Sequence, residues 1–352
     1  MREGPGISLA GLTSERNEMP LITFFFTFLL SFSLCYYLTP MVRKAAYKFG
    51  IVDKPDGKLK TQKKPVAYLG GLAIYLSFLI ALALVFEFSR ETLGILLGGT
   101  IVIILGLVDD FGVLEPKIKI LGQILAAVVL VRAGIYIKLT FLPVYVSIPL
   151  SVLWLVAITN AFNIIDIMDG LSSGIGFISA GVLFVIALMN GRMAIAALTI
   201  ALAGSLLGFL RYNFQPATIY MGDTGSLFIG LMIGTLAMIG TYTENNVVAC
   251  LVPVVILGLP IFDTLFVVYI RKLRGIPVFF GSSDHFALRL RKWKLSIRQT
   301  VVLSYLVCLV LGGVGIGMML VSSNLAASFI ILSLVTGALL AGLFLKKIDM
   351  TL

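Results

Sequence analysis

The chain has 352 residues, of which 59% are hydrophobic and 12% charged, with a mean hydropathy of +1.06. A domain folded in water carries about 45–50% apolar and about 25% charged residues, which excludes a soluble enzyme, a disordered chain and a nucleic-acid-binding module and leaves an integral membrane protein. One histidine and three scattered cysteines (Cys35, Cys250, Cys308) exclude a multi-histidine metal centre and a disulfide framework.

In chain order, residues 1–18 are polar and read as an exterior N-terminal tail, with no basic stretch and short apolar core of a cleaved signal. Residues 19–352 read as a single multi-pass domain. Apolar runs able to cross a bilayer, about 17–25 residues each, fall at 20–42, 67–88, 92–108, 118–136, 143–160, 172–190, 193–210, 224–242, 246–270, 299–321 and 325–345. They predict an all-α polytopic membrane protein of about eleven transmembrane helices. The count is ten if one of the short runs at 92–108, 143–160 or 193–210 is re-entrant or merged. No solenoid repeat and no matching halves are visible.

Connections between the runs carry the charge. Of 27 Lys and Arg, 21 fall on one side, in the loops after the first and ninth runs, at Lys117, Lys119 and Arg211, and at the C-terminal end. The positive-inside rule makes that side cytoplasmic, with the N-terminus outside, the C-terminus inside, and cytoplasmic loops at 43–66, 109–117, 161–171, 211–223 and 271–298. Of ten aspartates nine share this side and Asp263 lies within the ninth run, whereas six of seven glutamates lie opposite. A surface needing only solubility would not sort Asp from Glu.

Five of these acids lie at helix ends, in GLVDDFG, NAFNIIDIMDGL and MGDTGS. Short carboxylates there, without His or Cys, suit a hard cation, Mg²⁺ or Mn²⁺. Asp109 and Asp110 repel each other unless a cation or donors compensate; the plainer reading is a solvated loop paired to Lys117 and Lys119. Asn160, Asn163, Asp166 and Asp169 recur every third residue and supply more amide and carboxylate than a helix cap needs. Arg211 and Asn213 precede Asp223, which can cap the helix beginning near 224 or help hold an anion at its N-terminus. Asp263 lies about 12 Å up its helix and reads as either a functional acid or one half of a buried polar pair. His285 sits in a basic loop with Arg289. Acids for a cation, ringed by basic loops at a membrane face, suit phosphoryl transfer between a soluble nucleotide-sugar and a lipid phosphate.

The same segments resemble a family. Val52-Asp-Lys-Pro-Asp56, Lys63-Lys-Pro-Val-Ala-Tyr-Leu-Gly-Gly71, Gly106-Leu-Val-Asp-Asp-Phe-Gly112, Asn160–Gly170, Met221–Ser226, Pro260-Ile-Phe-Asp263 and Asp284-His285 to Arg289-Leu290 resemble, in order, the polyprenyl-phosphate N-acetylhexosamine-1-phosphate transferases of the MraY/WecA type. The resemblance implies roles for matching residues. Asp109 and Asp110 match the acidic pair at the lipid-phosphate and metal end, and Asn163 and Asp223, with Asp110, match metal contacts for Mg²⁺ or Mn²⁺. Asp166 and Asp169 match the second acidic motif at the nucleotide-sugar, and His285 the first residue of the histidine loop. Lys63, Lys64, Asn160, Arg211, Asn213, Asp263 and Arg289 fall to substrate binding.

This chain departs from the family at His285-Phe-Ala-Leu-Arg289, where many members carry HxHH, and at Gln62, where many place histidine. Both departures point away from the peptidoglycan-precursor branch and toward the WecA/TagO side. The implied reaction joins a UDP-N-acetylhexosamine, chosen as UDP-GlcNAc, to undecaprenyl phosphate at a bacterial inner membrane. It releases UMP and initiates an envelope glycopolymer such as lipopolysaccharide or teichoic acid. Direct and double displacement stay open, a homodimer is compatible, and no nucleic-acid partner is expected. The rival class is an ion-coupled transporter, which predicts midplane acids, broken helices and repeat symmetry.

Overall fold

The computed structural model describes residues 20–53, 65–85, 89–112, 114–275, 277, 284–348 and 350. The 1–18 tail, Lys63, Lys64 and parts of the predicted loops 43–66 and 271–298 lie outside the described residues. The helices are α1 (Leu21–Lys48), α2 (Gly70–Ala83), α3 (Arg90–Phe111), α4 (Pro116–Arg132), α5 (Val144–Ile165), α6 (Leu171–Met189), α7 (Met193–Asn213) and α8 (Gly222–Met238). A 3₁₀ turn (Val247–Leu251) then leads into α9 (Val252–Ile256), α10 (Gly258–Leu273), α11 (Phe286–Lys292), α12 (Ile297–Leu320) and α13 (Asn324–Lys346).

Each predicted apolar run contains a helix. Seven helices are long and apolar enough to cross a bilayer, α1, α3, α5, α6, α7, α12 and α13, and the segment 247–273 is an eighth if counted as one span. That segment corrects the unbroken helix expected at 246–270: it bends by 73° between Ile256 and Gly258. Pro253 and Pro260 lack the N–H that a continuous helix would use, which favours a break there. The all-α expectation also needs a small amendment. β1 (Val52–Asp53) and β2 (Val66–Ala67) pair antiparallel, Val52 opposite Ala67, and Ala67 bridges in parallel to Ile219.

Helix α8 is the central post. Every residue from Gly222 to Met238 is buried except Asp223, and the helix packs against α2, α3, α5 and α6. A helix apolar on all sides belongs at the middle of a bundle. Glycines allow the approach: a Cβ on Gly71 of α2 would lie 2.1 Å from the Gly225 nitrogen, and one on Gly106 of α3 2.5 Å from the Thr224 Cα. The outermost helix is α13, with Ala327 and Leu345 its only buried side chains. Its exposed apolar surface is what a lipid-facing helix presents.

Candidate active site

The predicted acids meet at one end of the bundle, around the exposed tip of α8. Asp109 and Asp110 end α3, where the helix dipole disfavours negative charge. Asp110 is compensated by another helix. One oxygen accepts from the Asp223 N–H at 2.8 Å; the other accepts from the Thr224 N–H at 3.1 Å and its hydroxyl at 2.6 Å. It therefore sits on the positive end of α8, satisfying donors that a helix start leaves orphaned. The left-handed Gly222 (φ +71°) makes this turn, and a Cβ there would lie 2.4 Å from Asp110 Oδ2.

Asp109 accepts from the Leu114 N–H at 2.7 Å and pairs with Lys119 Nζ at 2.8 Å. The same ammonium pairs with Asp223 Oδ2. Asn163, in the last turn of α5, donates at 2.8 Å to both Asp223 Oδ1 and Ser226 Oγ. Lys119 is thus central, although the sequence offered it only as a counter-ion to the Asp109 pair.

Asp166 and Asp169 follow in the loop after α5. Asp169 accepts from the Ala217 N–H at 2.9 Å. Burial raises its pKa above the ordinary carboxylate value, with the Ala217 bond opposing. The Asp166 carboxylate makes no hydrogen bond among the described residues, while its N–H donates to the Asn163 carbonyl at 3.4 Å. Removal from water, then the charges of Asp223, Asp110 and Asp169, push it well above the usual range. Tyr220 beside them is pushed up to about 12, chiefly by burial and next by Asp169.

Other predicted residues hold the scaffold. Asn213 is buried; its oxygen accepts from the Gly170 N–H (3.1 Å) and the Ser173 hydroxyl (2.8 Å), and its amide donates to the Ile219 carbonyl. It ties the loop after α5 to the loop before α8. Asn160 is matched to Gln123 of α4, its amide donating at 2.5 Å to Oε1. Arg211 is exposed in the last turn of α7.

A second cluster gathers Asp263, Asp284, His285 and Arg289. Asp263 is buried and bonds His285 Nδ1 and the Phe286 N–H, both at 2.8 Å. Arg289 is 1% exposed and donates to Asp284 Oδ1 (2.8 Å) and to the carbonyls of Leu345 (3.0 Å) and Ile348 (2.8 Å). Arg274 also reaches Asp284 Oδ1, at 2.9 Å. Arg289 and Asp263, both assigned to substrate by sequence, are bound to protein groups here, Arg289 capping the end of α13.

The first cluster can hold a divalent ion. Its donors are carboxylate and amide oxygens of Asp109, Asp110, Asp223 and Asn163, the hard set that Mg²⁺ prefers. Among the described residues no three of His, Cys, Asp and Glu surround a metal-sized point. The gap between Asp109 and Asp223 is taken by the Lys119 ammonium. A gap that draws in an ammonium suits a cation, and the residues fit the group.

Residues 92–241 match glycosyl transferase family 4. The chain is 37% identical over 290 residues, 80% of each chain, to a probable undecaprenyl-phosphate N-acetylglucosaminyl 1-phosphate transferase of Bacillus subtilis. It is 32% identical over 311 residues (78% of this chain, 76% of the relative) to decaprenyl-phosphate N-acetylglucosaminephosphotransferase of Mycolicibacterium smegmatis. A phospho-N-acetylmuramoyl-pentapeptide-transferase of Halalkalibacterium halodurans is 32% identical over 301 residues (78% and 90%). The acids at the tip of α8 lie on α3, in the loop after α5 and on α8, all inside the matched span, and with these relatives they establish that the chain belongs to the polyprenyl-phosphate N-acetylhexosamine-1-phosphate transferases.

Proposed function

We propose that the protein transfers GlcNAc-1-phosphate from UDP-GlcNAc to undecaprenyl phosphate, with Mg²⁺ and with release of UMP, on the cytoplasmic face of a bacterial plasma membrane. The observation that carries this reading is the meeting of Asp109, Asp110, Asn163, Asp223 and Lys119 at the exposed tip of an otherwise buried helix. Asp223, Asn163 and Asp110 would hold the metal, which when bound would supply charge stabilisation to the diphosphate. Lys119 offers a second positive charge to the same phosphates. The Asp166 carboxylate, without a hydrogen bond among the described residues, is open to donors of the nucleotide-sugar.

A lipid phosphate oxygen bonds to the sugar-bearing phosphorus as the bond from that phosphorus to UMP breaks. A phosphate monoester, with a second pKa near about 6, is ionised enough to attack at neutral pH without a strong general base. Both oxygens of Asp109 and both of Asp110 are held by donors. This supports direct attack over a covalent aspartyl intermediate, and inversion at a chiral phosphorus is the expected outcome. The reaction test is UMP release from UDP-GlcNAc that requires both Mg²⁺ and the lipid phosphate; release without lipid, or none with it, overturns the reading.

The proposed topology is eleven crossings, N-terminus outside and C-terminus inside. Its support is the 21-to-6 split of basic residues together with a helix in every predicted run. Cysteines at Lys58 and Lys292 are expected to label only from the cytoplasm, and labelling from opposite sides overturns it.

A further inference from the structure

The second cluster contains a group that the proposed chemistry leaves without a partner. His285 is the single histidine of the chain. Its Nδ1 lies 2.8 Å from Asp263 Oδ2, while Asp263 Oδ1 accepts the Phe286 N–H at 2.8 Å. With Asp263 as a carboxylate, which only accepts hydrogen bonds, the contact places the ring proton on Nδ1. In the neutral imidazole Nε2 is then left with a lone pair. Among the described residues Nε2 has no hydrogen-bond partner.

The ring is also held still. It is 5% exposed, and its backbone starts α11, whose first N–H is the one that Asp263 accepts. The following turn is locked by Arg289, bonded to Asp284 and to two carbonyls at the end of α13. Helix α10, which carries Asp263, packs along α5, the helix whose last turn carries Asn163. A fixed imidazole with one open nitrogen is therefore held by the helix that packs against α5, the element carrying Asn163 of the first cluster.

We infer that Asp263 is a positioning residue: it does not touch substrate, but fixes the tautomer and orientation of His285 so that Nε2 accepts a hydrogen bond or a proton from the bound substrates. This rests on the transfer reaction proposed above. The alternative is that Asp263 only caps α11. Asp263→Asn separates the two, because the amide oxygen keeps the bond to the Phe286 N–H while the amide NH₂ faces Nδ1 as a donor. The cap survives and the tautomer inverts. In serine proteases an Asp-to-Asn change of this kind keeps the geometry and costs about 10⁴ in turnover.

The experiment uses the full chain in lipid nanodiscs with ¹⁵N-labelled histidine. One imidazole gives one pair of nitrogen signals, so the tautomer is read without substrate and without assignment. The wild type is expected as Nδ1–H and Asp263→Asn as Nε2–H. Turnover should fall about 10²- to 10⁴-fold, with KM for either substrate changed less than about threefold. Asp263→Glu keeps an acceptor and should retain Nδ1–H with turnover partly recovered; it carries the test if the Asn variant does not fold. A wild-type Nε2–H ring, an inverted tautomer with turnover near wild type, or a rise in KM alone overturns the inference. Failure of the wild type to release UMP would strike at the transfer reaction and leave the tautomer result standing.

Discussion

The two charged clusters use the same residue types to opposite ends. At the tip of α8, Asp109, Asp110, Asp166, Asp169 and Asp223 gather, and among the described residues the ion pairs there are those of Lys119 with Asp109 and Asp223. In the second cluster Asp284 meets Arg274 and Arg289, and those charges close on one another, apart from the Asp263–His285 pair beside them. A matched set of buried charges is a structural joint, which costs stability only when one partner is removed. An oversupply of carboxylate is repulsive and persists where something positive is to be received. Charge balance within each cluster, more than depth or residue type, separates the receiving site from the joint.

Replacing Arg289 should have the largest effect. Arg289→Ala leaves Asp284 short of its buried partner and frees the carbonyls of Leu345 and Ile348, an expected stability loss of about 3–5 kcal/mol. Thermal unfolding in detergent checks it. A variant that melts like wild type but shows a raised KM would return Arg289 to the substrate and erase the contrast.

Asp223→Asn should do the reverse. The Asp223 side chain caps no helix N–H, the start of α8 being held by Asp110, and an Asn oxygen still accepts from Asn163, so folding is kept. Loss of a charge that stabilises the reacting phosphates should cost on the order of 10²-fold in turnover. Normal turnover with a normal Mg²⁺ dependence would leave Asp223 a structural partner of Lys119 and Asn163 and nothing more.

Lys119→Met sharpens the comparison by making the imbalance worse. With the ammonium gone from between Asp109 and Asp223, Mn²⁺ should bind more tightly by direct titration, by about tenfold, while turnover drops. Unchanged or weaker binding would mean that Lys119 does not compete for the cation position.

The smallest effect is on stability at Asp166. Its pKa in the folded chain is raised, so ionisation opposes folding, and the penalty grows as pH rises above the unfolded carboxylate value of about 4. Asp166→Asn should therefore melt slightly higher than wild type at neutral pH, with the difference vanishing toward pH 4. A lower melting point at neutral pH would show that the charge was matched after all.

Much of this was legible in the sequence because membranes simplify the code. Apolar runs gave a helix each, and the sidedness of Lys, Arg and Asp collected the acids that the fold brings together. The bend near Leu257 was hidden inside a continuous apolar stretch, although Pro253, Gly258 and Pro260 mark it. Pairings across long separations were not legible. Arg289 caps carbonyls 56 and 59 residues away, and Asn213 spends its amide on Gly170 and Ile219. A polar residue in a motif reads alike whether it faces a ligand or its own chain. Lys119 was visible only as a neighbour, because its second partner, Asp223, is 104 residues distant.

The glycine contacts beneath Asp223 bear on how such a site changes over generations. Gly71 and Gly106 press backbone to backbone against the first turn of α8, and Gly222 both adopts a left-handed conformation and lies against the Asp110 carboxylate. A side chain at Gly71 or Gly106 must push main chain aside, and one at Gly222 must displace the Asp110 carboxylate, so the floor of the site has almost no neutral substitutions to drift through. An inhibitor resting on the Gly222–Gly225 turn would meet a surface that a single replacement cannot reshape without dismantling the enzyme. One that leans on the exposed Arg211 would meet a surface free to vary.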